Sequence, residues 1–155
     1  RTIFRLSDVA MLTGDADSVS LGKKLHYYVR TGKLHSPRKG IYAKADYSPL
    51  ELACRLYTPS YISLEYVLRK EGLIFQYDTT ITSVSYLSRT LEIEGQVYIY
   101  RKLKNAYLLN TRGIIRRANG INMATPERAV LDMVYLNPRF YFDNLNPVNH
   151  KKIAD

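Results

Sequence analysis

Near the start of the chain, apolar residues recur at helical spacing. Asp8-Val-Ala-Met-Leu12, preceded by Ser7 and followed by Thr13-Gly14, predicts a short helix with a hydroxyl N-cap, an acidic first turn and a glycine stop. A polar turn, Asp15-Ala-Asp-Ser18, leads into Leu21, Leu25, Tyr28 and Val29, whose i, i+4, i+7, i+8 pattern marks the buried stripe of a second helix. At about 100° per residue the opposite face carries Lys23, His26, Tyr27 and Arg30, with Lys24 on its flank. Gly32 ends this helix, and Leu34 packs back over its last turn. The stretch from Lys33 to Ala43 places two short extended runs around Pro37-Arg-Lys-Gly40, which predicts a β-hairpin with a basic tip at Arg38 and Lys39.

The pattern changes beyond residue 45. Ser48-Pro-Leu-Glu51 joins a hydroxyl N-cap, proline at the first helical position and glutamate at the capping-box position, predicting a helix from 49 to about 57 that Thr58-Pro59 stops. A further helix is expected over 63–71, with Leu64, Val67 and Leu68 on one side and Gly72 as its stop. Residues 79–91 are rich in Thr, Ser, Val and Tyr, and Glu94-Gly95 separates Leu91-Glu-Ile93 from Val97-Tyr-Ile-Tyr100 as a hairpin turn would. Asn119-Gly120 marks another turn, between Ile114-Ile115 and Ile121-Asn-Met123. Thr125-Pro126-Glu127 opens a last helix with Ala129, Val130, Met133 and Val134 as its apolar stripe, ended by Asn137-Pro138. The second part therefore reads as helices, then an antiparallel sheet, then a helix.

Composition narrows the class. With 155 residues, 46% of them hydrophobic and 24% charged, the chain is an ordinary globular sequence of one domain or two small ones, and neither a disordered tract nor a collagen-like rod. The single cysteine, Cys54, excludes an internal disulfide and a cysteine-based zinc site, and reads as a small buried hydrophobe in a reducing compartment. No apolar run approaches the roughly 20 residues of a membrane helix and no signal-peptide pattern opens the chain, so a cytoplasmic location is expected. The absence of an initial Met, and a helix-like beginning at Asn146-Pro-Val148 close to the last residue, read as part of a longer protein.

Charge supplies the first functional pointer. The 23 Lys and Arg against 14 Asp and Glu leave +9, unevenly spread. Residues 1–45 hold nine basic and three acidic residues, whereas residues 46–155 hold 14 and 11. Such a basic N-terminal segment favours a polyanion partner, because positive surface raises both affinity for nucleic acid and the rate of encounter. A short helix, a second helix with a basic and aromatic outer face, and a basic hairpin together match a winged helix-turn-helix. The second helix fits the major groove, and Arg38 and Lys39 lie along the phosphates or in the minor groove. The alternative is a small helical cap with a solvated basic face.

Catalytic chemistry is sparse. His26, His35 and His150 are scattered, and none has a thiol or carboxylate at metal-ligand spacing, so neither a metal site nor a cofactor is expected. No Gly-rich phosphate loop or nucleophile elbow is present. The best enzyme candidate is a Mg²⁺-dependent nuclease built on Asp78, Glu92 and Glu94 with Lys102 or Lys104, although acids flanking a turn glycine are commonly just solvated. Glu127 reads as a first-turn acid and Asp132 as a partner for a neighbouring arginine. Most of the 14 tyrosines read as half-buried filling; Tyr27, among lysines, is the exception.

Several phrases also line up in order with one family. Phe4-Arg-Leu-Ser-Asp-Val-Ala10, Val29-Arg-Thr-Gly-Lys-Leu34, Arg38-Lys-Gly-Ile-Tyr42, Pro59-Ser-Tyr-Ile-Ser-Leu-Glu65 running to Gly72-Leu-Ile, and Met123-Ala-Thr-Pro-Glu-Arg-Ala129 with Leu131-Asp132 cover most of residues 4–136. On these phrases the sequence resembles the AbiEi antitoxins of abortive-infection, type IV toxin-antitoxin systems. The resemblance implies a winged helix that binds operator DNA upstream of its own operon. It also implies a C-terminal domain that counters a nucleotidyltransferase-like toxin without needing stable contact with it, and no enzymatic activity.

The expected organisation is thus α+β. A winged helix-turn-helix occupies residues 1–45, with Lys23, Lys24, His26, Tyr27, Arg30, Arg38 and Lys39 as DNA-contacting residues, and an α+β antitoxin-like domain occupies residues 46–155. The expected function is a non-enzymatic, sequence-specific repressor of its own operon in a phage-defence system, with double-stranded operator DNA and a cognate toxin as partners and no membrane association. A stand-alone winged-helix regulator and a protein-interaction module are the other readings.

Overall fold

The computed structural model describes residues 2–14 and 17–154 and has a mixed α/β architecture of helices and two sheets. The chain divides into two compact units, Arg1–Leu52 and Ala53–Asp155. Among the described residues no helix is long and apolar enough to cross a membrane.

In the first unit, β1 (Ile3–Arg5) is followed by α1 (Leu6–Thr13) and α2 (Ser18–Arg30), then by β2 (His35–Arg38) and β3 (Ile41–Ala43). The three strands form an antiparallel sheet in the order β1-β3-β2, with Ile3 opposite Ala43 and Arg5 opposite Ile41. Helix α1 starts two residues earlier than expected. Ser7 lies inside it, and the Asp8 carboxylate accepts the Arg5 N–H (2.9 Å) in place of a hydroxyl cap. At the start of α2, Asp17 accepts the Val19 and Ser20 N–H groups; Asp15 and Ala16 of the expected turn lie outside the described residues. Its end is the expected glycine stop. Gly32 takes a φ of +82°, and the Gly32 and Lys33 amides return to the Val29 and Tyr28 carbonyls, closing the last turn. Leu21 and Leu25 are buried with Ile3, Ile41, Ala43 and Leu52, but Tyr28, expected in the same stripe, is exposed.

α3 (Pro49–Leu56) begins as expected at Pro49, and the division between the units falls inside it. The Ser48 hydroxyl accepts the Glu51 N–H, as a capping box requires, the Ser48 N–H donates to the Thr2 hydroxyl, and the Glu51 carboxylate reaches beyond its own helix. It is fully buried and accepts the N–H groups of Thr2 and Ile3 and the Thr2 hydroxyl proton, tying β1 to a residue 48 positions away.

The second unit is built on six strands in the order β6-β7-β5-β4-β9-β8. They are β4 (Ser60–Ile62), β5 (Ile81–Ser85), β6 (Arg89–Ile93), β7 (Gln96–Lys102), β8 (Ile114–Arg116) and β9 (Asn122–Ala124). The expectation of an antiparallel sheet is corrected here, since the sheet is mixed: β5 runs parallel to β7, and β4 parallel to β9. The connection from β5 to its parallel neighbour β7 runs through β6, which pairs beyond β7, whereas helices lie in the chain between β4 and β9. α4 (Glu65–Lys70) follows β4, α5 (Asn105–Leu108) follows β7, and α6 (Pro126–Leu136) follows β9, with α7 (His150–Ala154) near the end of the chain. The β6–β7 hairpin turns at Glu94-Gly95 and the β8–β9 turn contains Asn119-Gly120, as expected. All five residues of β5 are buried, so both faces of the sheet are covered there. On one face Tyr61 and Ser63 reach α6; on the other the Tyr100 hydroxyl donates to the Ala53 carbonyl of α3 (2.6 Å).

Tyr98 is buried in β7, and its hydroxyl finds no hydrogen-bond partner among the described residues. Burial, with the Glu94 charge second, pushes its phenol from 10.0 up to about 12. The folded state therefore keeps a proton that the unfolded chain loses as pH climbs from 10 to 12, and this share of stability, intact below pH 10, declines by up to about 1.4 kcal/mol per pH unit. Tyr98→Phe is expected to be near neutral at pH 7 and to unfold at a higher pH than the parent in an alkaline titration followed by circular dichroism. An unchanged alkaline midpoint would rule Tyr98 out as a source of the loss.

Candidate nucleic-acid interface

Helical periodicity brings the charged side chains of α2 together. Val19, Gly22, Lys23, His26, Tyr27 and Arg30 line one shallow concavity of about 470 Å³ on its outer face. Lys23, His26, Tyr27 and Arg30 are all exposed, and Lys24 is exposed beside them. The Arg30 guanidinium lies 5.8 Å from the centroid of the Tyr27 ring, which holds a cation against an aromatic face without neutralising it. Tyr28 packs at a tilt of 60° against Tyr27, with the Lys33 ammonium 5.7 Å from the Tyr28 ring. Val19, exposed at the N-terminal end of the concavity, was not anticipated as part of this face; its place four residues before Lys23 is the signal that locates it.

The hairpin tip stands on a separate element. Arg38 ends β2 and is half-buried, Lys39 is exposed in the turn, and Ser36 donates to the Arg38 and Ile41 carbonyls across it. Seven side chains thus present positive or proton-donating groups from two elements of one unit, and Tyr27 adds an apolar ring to the α2 set. Phosphate oxygens and base edges are the groups such donors recognise.

In the second unit the polar cluster is closed. Arg128, in the first turn of α6, directs all its donors inward: Nε to Asp132 Oδ1 (3.2 Å), Nη1 to the Asn110 and Arg112 carbonyls (2.8 Å each), and Nη2 to the Tyr107 carbonyl (2.7 Å) and the Tyr61 hydroxyl (3.1 Å). Asp132 Oδ2 accepts from Tyr61 (2.9 Å) and Ser63 (2.8 Å). Burial pushes the Asp132 carboxyl up, opposed by Ser63, Arg128 and Tyr61, and burial with the Asp132 charge pushes the Tyr61 phenol above its usual range. Gly113 completes the cluster, since a Cβ there would sit 2.9 Å from that of Arg128. With every donor and acceptor occupied, the cluster is a clamp that pins residues 107–113 to β4 and α6. Asp132 does pair with an arginine of its own helix, but in the interior. Glu127, also buried, accepts the Asn149 N–H (3.0 Å) in addition to opening α6.

The acids weighed for a nuclease do not assemble. Asp78 is exposed and accepts from the Thr80 N–H and hydroxyl, which hold its carboxyl below the usual range; Glu92 and Glu94 are exposed at the β6–β7 turn. Among the described residues no three His, Cys, Asp or Glu side chains come close enough to hold a metal ion. Cys54 is buried. Neither a family model nor a curated protein matches the chain.

Proposed function

We propose that the chain is a sequence-specific, non-enzymatic DNA-binding repressor of antitoxin character, in which the first unit acts as a winged helix-turn-helix. α2 enters the major groove, and the β2–β3 hairpin is the wing that follows the phosphates. The observation that carries this reading is the gathering of Lys23, His26, Tyr27 and Arg30 in one exposed concavity of α2. The excess of basic residues before position 45 and the ordered resemblance to AbiEi antitoxins support it. That resemblance also supports a second unit that counters a nucleotidyltransferase-like toxin encoded beside this protein.

The test is fluorescence anisotropy with duplex DNA from upstream of the protein's own gene and with an unrelated duplex. Arg38→Ala and Lys39→Ala should weaken both duplexes alike and reduce the salt slope by about 0.9 for each phosphate no longer neutralised. Lys23→Ala and Tyr27→Ala should instead alter the preference between them. A folded five-fold variant, K23A/Y27A/R30A/R38A/K39A, that binds the upstream duplex as tightly as the parent at moderate salt would refute the reading. The antitoxin half is checked by co-expressing the neighbouring gene product with the DNA-blind variant from a foreign promoter. Growth rescue supports an activity separate from repression, and loss of rescue at equal protein level removes it.

A further inference from the structure

Charge in the second unit is sorted by the sheet. Residues 95–126 contain six Lys and Arg and no Asp or Glu. Strand register shows where they stand. Ser60 faces Ser85, which faces Lys102, and one step in, Tyr61 faces Val84, which faces Arg101. On the other side of β4, Ile62 is level with Met123, and Met123 with Ile115, so Arg116 and Arg117 fall level with Tyr61 and Ser60. Arg89, opposite Tyr100, stands one step further in. Arg89, Arg101, Lys102, Arg116 and Arg117 therefore share one end of the sheet, while Glu92, Glu94 and Asp78 lie at the other. All five but Arg101, which is half-buried, are exposed, and among the described residues none forms an ion pair.

Uncompensated positive charge collected along one rim calls for a polyanion. Four strand steps separate β7 from β8, roughly 19 Å at about 4.8 Å per step, the reach of a few nucleotides. An aromatic ring stands on the same rim. Tyr86, directly after Ser85, is 43% exposed and is braced edge-on by buried Tyr57 at 6.3 Å. A duplex keeps its bases stacked inside and has no use for such a ring; an unpaired base does.

We infer that the second unit binds single-stranded nucleic acid along this sheet end, with phosphates on Arg101, Lys102, Arg116 and Arg117 and a base stacked on Tyr86. The inference uses residues of the second unit alone and does not rest on duplex binding by the first.

The full-length chain is titrated against a fluorescein-labelled 12-nucleotide RNA of mixed sequence, the same sequence as single-stranded DNA, and a 12-base-pair duplex. The parent should bind both single strands, and a preference between them identifies the source of the ligand. R101Q/K102Q/R116Q/R117Q should lower the single-strand salt slope by close to three units, at about 0.7 per phosphate. Tyr86→Ala should weaken binding about tenfold. The charge-conserving R101K/K102R/R116K/R117K should keep it, and so should K23A/R30A/R38A/K39A in the first unit. Single-strand binding unchanged in a folded glutamine variant overturns the inference, as does its disappearance in the first-unit variant. Should the glutamine variant not fold, the Tyr86→Ala result decides alone.

Discussion

Arg128→Met is expected to cost the second unit about 3–5 kcal/mol, the penalty for stranding one half of a buried ion pair. The guanidinium answers Asp132 and the Tyr107, Asn110 and Arg112 carbonyls at once. Methionine fills a similar volume but leaves the carboxylate without its counter-charge and the carbonyls without their donor. Lysine should recover only part of the loss, because one ammonium cannot span acceptors on three sides. R128M/D132N should be less damaging than R128M alone, since it removes the orphaned charge. Amide hydrogen exchange at residues 61–63 reports the outcome locally, and a fall of less than 1 kcal/mol there would show that the clamp is incidental.

The second large effect belongs to the first unit. Glu51→Ala is expected to lower its stability by about 3 kcal/mol, because charge-assisted hydrogen bonds disappear and N–H groups stay buried without acceptors. The Thr2 and Ile3 amides lie 3.1 and 3.2 Å from this carboxylate, and Ile3 is 1% exposed, so freeing β1 also uncovers core. Glu51→Gln keeps one acceptor oxygen while turning an NH₂ group toward donors, and should lie between parent and alanine variant. Amide protection at residues 3, 41 and 43 is the measurement. Equal protection in parent and alanine variant would mean that β1 is held by strand pairing alone.

What the sequence made legible is chemistry that closes within a few residues. Pro49 and Pro126 announce two helices, Gly32 and Gly72 end two, and Glu94-Gly95 and Asn119-Gly120 reverse the chain, each through a preference its immediate neighbours satisfy. Periodicity alone gathers Lys23, His26, Tyr27 and Arg30 on one face of α2. Partners distant in the chain were not legible. β1 and β4 are three residues long, too short for an alternation, and pair with residues 40 and 61 positions away. Missing β4 hides one parallel pair, β4 with β9; the other, β5 with β7, arises because β6 pairs on the far side of β7 and not between β7 and β5. Local rules give Glu51 a near neighbour, whereas burial sends its carboxylate to Thr2 and Ile3; Asp132 keeps its expected arginine, and burial adds Tyr61 and Ser63. In the net charge of residues 46–155 the acids before residue 95 offset the acid-free run over 95–126, so the basic rim does not stand out.

The same arginines bear on how the sheet ends. Among the described residues β8 is an outermost strand, paired on one side only, and its other side offers backbone N–H and C=O groups to any extended chain that drifts past. It is three residues long, and Arg116 and Arg117 place two exposed like charges at its end, so a second copy approaching in register meets its own repulsion before a ladder can form. Charge at these positions thus keeps molecules apart as well as attracting an anion. Neutralising it trades solubility along with affinity, and a polyanion lying across the rim would shield the edge it discharges.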